Sequence, residues 1–84
     1  MGMAAALKLR PTLTNTATIL SIELLAACQA LDCLAPLRTG QLAERARALV
    51  RQAVVRASGD RPLHGEIARV AGMVSRGDFA KILP

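Results

Sequence analysis

Apolar residues recur along this chain at helical spacing, and no run alternates apolar with polar residues as a half-buried strand would. Leu42, Ala46, Leu49, Val50, Ala53, Val54 and Ala57 follow an i, i+4, i+7, i+8 spacing that lines them up on one side of a helix. Thr39 and Gly40 precede this stripe, and Ser58, Gly59 and Asp60 come after it, so the pattern predicts a helix over about 40–57. Gly59 suits the left-handed position after a helix end. The opposite side carries Glu44, Arg45, Arg47, Arg51 and Arg56, read as a solvated face. Ile67, Val70, Ala71 and Val74 give a further stripe, predicting a helix over about 64–76 that Gly77 ends. Asp78 can then cap a short turn at about 78–82.

The first third of the chain has no single stripe. Met3 to Lys8 favours helix, but Pro11 lacks a backbone donor and biases Arg10 away from helical geometry. A kink or break is expected at residues 10–12, with Thr12 or Thr14 capping a new helical stretch. Ile19, Leu20, Ile22, Leu24, Leu25, Ala26, Ala27, Cys28 and Leu31 cover nearly the whole circumference, as in a helix made to be surrounded. This kinked helix, about 3–34, should stop before Pro36. The expected fold is all-α: one helical segment over residues 1–84, with three main helices and a short C-terminal turn, forming a piece of a larger helical bundle.

Composition sharpens the last point. Hydrophobic residues make up 52% of the chain, but only Phe79 is aromatic. A chain of 84 residues buries only about 60–65% of its unfolded surface. So much aliphatic surface calls for a partner, and the isolated chain is expected to self-associate or to form a loosely packed helical species. The net charge of +5 would allow attraction to nucleic acid. However, the cations sit singly among aliphatic residues with no Tyr or Trp to stack on bases, so nucleic acid is not an expected partner. Thr12 to Leu31 holds one charge, Glu23, over a length that raises the question of a membrane span. Thr14, Asn15, Thr16, Thr18, Ser21 and Gln29 interrupt it, and the chain reads as soluble and cytoplasmic, without a membrane partner.

The sequence offers no catalytic, cofactor-binding or metal-binding set. Cys28 and Cys33 point about 140° apart on one helix and read as small buried thiols in a reducing cytoplasm. His64 is the only histidine, and Ser21, Ser58 and Ser75 lack a nucleophile context. Glu23 stands out as a carboxylate on an apolar helix and reads as a structural group paired with an Arg.

Asn15-Thr16 followed by Ile22-Glu23-Leu24-Leu25-Ala26-Ala27-Cys28-Gln29-Ala30-Leu31-Asp32 resembles a block of the histidine, phenylalanine and tyrosine ammonia-lyases. Ala35-Pro36-Leu37-Arg38-Thr39 resembles the loop after that block, Asp60-Arg61-Pro62-Leu63 an Asp-Arg turn of the family, and Glu66-Ile67 the opening of its next helix. The similarity runs from Met1 to about Leu83 and implies the C-terminal segment of such an enzyme, with Met1-Gly2 falling just after its last active-site motif. The parent reaction removes ammonia from histidine or an aromatic amino acid to leave an α,β-unsaturated acid. The resemblance implies a bundle within a homotetramer, so the partners would be the remainder of the lyase polypeptide and its other subunits.

The family also implies a methylidene-imidazolone prosthetic group, made from Ala-Ser-Gly, and a catalytic Tyr. This chain has no Tyr. It does contain Ala57-Ser58-Gly59 before Asp60, at a place where the flanking resemblance puts the family's C-terminus, and the match is read as coincidental. The segment itself is expected to be inactive and to contribute bundle packing. The competing reading is a stand-alone helical interaction protein whose basic face would meet nucleic acid.

Overall fold

The computed structural model describes residues 1–84, which form three helices, a short 3-10 turn and no strand. α1 spans Gly2–Cys33, α2 Gln41–Ala53 and α3 His64–Arg76, and the 3-10 turn covers Asp78–Ile82. The fold is all-α, as the spacing of apolar residues predicts.

α1 stays helical through residues 10–12, so of the kink or break that Pro11 predicts, the break does not occur. Proline removes one helical hydrogen bond, here the one to the Leu7 carbonyl, and this stretch is exposed enough for water to take that carbonyl instead. Four threonine hydroxyls add bonds back to the preceding turn: Thr12 to Lys8, Thr14 to Arg10, Thr16 to Thr12 and Thr18 to Thr14. Arg10 is accordingly helical, despite preceding a proline.

Residues 2–16 of α1 are all exposed, and its buried positions are Ala17, Ser21 and Cys28. Most tertiary contacts of α1 are with α3. The core is a small cluster of Cys28, Val50, Val54, Val70 and Met73, with Leu24, Leu25, Leu49, Ala53 and Phe79 packed around it. Burying each aliphatic side chain contributes roughly 1.5–3 kcal/mol, so the stabilisation is concentrated where the C-terminal half of α1 meets the other two helices. Met3, Leu7, Leu13, Ile19 and Ile22 remain exposed in this chain.

α2 begins where Thr39 and Gly40 predict, with Gly40 as its N-terminal boundary residue. It ends at Ala53 instead of 57, because Val54 turns extended (φ −135°, ψ 121°) and drops its side chain into the core. Gly59 is not left-handed; Gly77, closing α3 at φ 77°, is the one residue with positive φ. Asp78 opens the 3-10 turn without capping it, and its carboxylate instead accepts from Arg76 at 3.1 Å and Lys81 at 3.3 Å. Burial works to raise the Asp78 carboxyl, but Lys81 and Arg76 outweigh it and hold the group below the usual range.

Candidate functional site

The densest polar constellation ties the end of α1 to α2. Asp32 lies in the last turn of α1, and Arg47 and Arg51 are four apart and therefore project from one side of α2. Arg47 Nη1 donates to Asp32 Oδ1 at 2.7 Å, while Arg51 donates to Oδ2 through Nη2 at 2.7 Å and Nε at 3.0 Å. Arg47 also donates to Glu44 Oε2 through Nη2 at 2.7 Å, and the Thr39 amide donates to Glu44 Oε1 at 3.0 Å. Arg51 Nη1 reaches the Val54 carbonyl at 3.2 Å.

This arrangement corrects the reading of Glu44, Arg47 and Arg51 as a solvated face. The Asp32 side chain is 9% exposed, Arg47 26% and Arg51 20%. The helical stripe placed these residues opposite the apolar positions, but it could not show that Asp32 arrives there from α1. Arg45 and Arg56 are exposed, as a solvated face requires, with Arg45 also donating to the Ile82 carbonyl. Burial acts to raise the Asp32 carboxyl, but hydrogen bonds from Arg51 and Arg47 outweigh it and hold the group below the usual carboxylate range. Glu44 is held low by the Arg47 hydrogen bond and the Thr39 amide, and Arg47 is pushed up by Glu44 and Asp32. A carboxylate so stabilised is a poor proton acceptor, and both guanidinium groups are occupied. The network can hold elements in register, and it is no longer available as a basic binding stripe.

Beside it lies a cavity of about 240 Å³ between α1, residues 54–63 and α3, with Ile22, Leu25, Val54 and Ile67 among its walls. Arg61 and Glu66 pair at its edge, with Nε to Oε1 at 2.9 Å. Both cysteines are free thiols, but only Cys28 is buried as expected; Cys33, at the last position of α1, is exposed. Burial pushes the Cys28 thiol up, with Arg51 opposing. No group of three His, Cys, Asp or Glu is placed to hold a metal ion.

The remaining candidates stay apart. Glu23 is exposed and makes no ion pair, so the expected partnership with an Arg is not formed within this chain. Ser21 is fully buried and donates to the Thr18 carbonyl at 2.7 Å, while His64 is exposed at the start of α3. Ala57-Ser58-Gly59 sits in the loop after α2 with Ser58 and Gly59 exposed. No backbone hydrogen bond tightens the loop there, and the Ala57 carbonyl accepts from Gln29 Nε2 at 3.1 Å.

Among known families, the profile described as aromatic amino acid lyase matches residues 1–52. A histidine ammonia-lyase of Anaeromyxobacter sp. (strain K) is 49% identical over 77 residues, covering 92% of this chain and 15% of the relative. The histidine ammonia-lyases of Desulfotalea psychrophila and Aromatoleum aromaticum are 46% and 43% identical, over 94% and 100% of this chain and 15% and 16% of the relatives. The chain thus spans about 15% of the length of the curated relatives it matches. No solved structure matches.

Proposed function

Because the chain belongs to the aromatic amino acid lyase family, we propose that it is the C-terminal helical part of a histidine ammonia-lyase polypeptide, contributing packing and no chemistry of its own. The observation that carries this reading is the identity of 49% to a histidine ammonia-lyase over 92% of the chain. The parent reaction would be the non-oxidative elimination of ammonia from histidine to give urocanate. The segment would work in the cytoplasm, inside a homotetramer whose other helices cover the exposed apolar side chains of α1. A helix of 32 residues is long enough to cross a membrane. Pro11, four threonines, Glu23 and the packing of Ser21 and Cys28 favour a bundle over a bilayer.

Ala57-Ser58-Gly59 does not fit as the precursor of the family's prosthetic group. Cyclisation joins the glycine nitrogen to the alanine carbonyl carbon with loss of two waters, which needs a backbone held compressed. Ser58 and Gly59 instead lie exposed in a loop without a turn hydrogen bond. The chain also lacks any Tyr. Purified chain incubated with histidine, phenylalanine or tyrosine should therefore give no unsaturated product, followed by absorbance, and its intact mass should show no loss of two waters. Steady turnover, or that mass loss, would overturn the reading.

A further inference from the structure

The end of α2 is where local sequence and tertiary structure disagree. The apolar spacing continues to Ala57, and residues 54–57 contain neither Pro nor Gly. Nevertheless, five consecutive carbonyls are each taken by a side chain. Ala53 accepts from Arg69 at 3.1 Å, Val54 from Arg51 at 3.2 Å, Val55 and Arg56 from Arg61, and Ala57 from Gln29 at 3.1 Å. The donors come from α1, α2, α3 and the loop itself. The amides of Val55, Arg56 and Ala57 donate to no backbone carbonyl. In a continued helix they would bond the carbonyls of Arg51, Gln52 and Ala53.

We propose that residues 54–57 are a two-state strap, clasped in extended form by Gln29, Arg61 and Arg69, which rewinds as a last turn of α2 when the clasp is released. The extended form keeps five side-chain bonds to carbonyls, while the rewound form exchanges them for three backbone bonds and a helical turn that continues the apolar spacing of α2. The strap also supplies Val54 and Ala57 to one wall of the cavity that Ile22, Leu25 and Ile67 close from the other side. Rewinding withdraws that wall, so the clasp governs whether the cavity is closed.

Amide hydrogen exchange resolved to residues 55–57 tests this in the full chain. The triple variant Gln29→Ala, Arg61→Ala, Arg69→Ala, which removes all three clasping side chains, should slow exchange at these three amides by about tenfold, as they enter helical bonds, and move their Cα chemical shifts toward helical values. Unchanged or faster exchange would overturn the proposal. Should the triple variant fail to fold, Val55→Ala decides the matter, since Val55 is 76% exposed and alanine only raises helix propensity there. It should slow the same amides, and exchange equal to that of the parent chain would overturn the proposal.

Discussion

Replacing Val70 with alanine probes whether stability resides in the junction of α1, α2 and α3. Val70 is fully buried among Cys28, Val50, Val54 and Met73. The change removes two methyl carbons, worth about 0.8 kcal/mol each in transfer, or roughly 1.6 kcal/mol. The cavity left behind adds to this, for a total of about 2–3 kcal/mol. A domain of this size has only about 4–12 kcal/mol in hand, and each kcal/mol moves the midpoint by roughly 4–8 °C. Thermal unfolding of the dilute chain, followed by far-UV circular dichroism, should thus shift down by about 10–20 °C. Leu7→Ala is the control, because Leu7 is 69% exposed, on the part of α1 that has no buried residue. It should cost less than about 0.5 kcal/mol. Equal shifts for the two variants, or no shift for Val70→Ala, would refute this placement of the core.

Two further outcomes concern the ionisable groups. Because the folded-state pKa of Asp32 lies below its unfolded value, its stabilisation is present above about pH 4 and is lost as pH falls through the folded pKa. Asp32→Asn should lower the melting temperature near neutral pH and make its decline on acidification shallower, and parallel curves would contradict the network's role. Alkylation of the native chain followed by mass spectrometry should label exposed Cys33 first and buried Cys28 only on unfolding. Equal labelling would count against the burial described.

How much of the fold and site is legible from sequence depends on how local each feature is. α3 and its glycine stop are set by neighbours in the chain, and the pattern of Ile67, Val70 and Val74 before Gly77 suffices to find them. The end of α2 escapes a local reading because its carbonyls are captured by Gln29 and Arg69, which are distant in sequence. The Asp32 network escapes for the same reason: Arg47 and Arg51 share a helical side with other charges, and only the return of α2 along α1 supplies their carboxylate. Pro11 is accommodated inside α1, where the Leu7 residue it would have bonded is exposed to water and four threonine hydroxyls bond back along the helix. Glu23 does not form a buried pair because its side of α1 is exposed and the residues that adjoin it there, Val74 and Phe79, are apolar.

Whether this chain serves as the packing segment of a histidine ammonia-lyase is decided by a chimera. The matching stretch of the Anaeromyxobacter enzyme is replaced with residues 1–84, and urocanate formation from histidine is measured alongside the oligomeric state. The expected product is a soluble oligomer with activity within about tenfold of the parent, because packed cores tolerate hydrophobic substitutions that keep volume and pattern. Leu24→Asp or Leu25→Asp in the chimera should abolish assembly, by placing an unpaired carboxylate in a packed bundle. A chimera that assembles but makes no urocanate, or one that tolerates either aspartate, would contradict the proposed role.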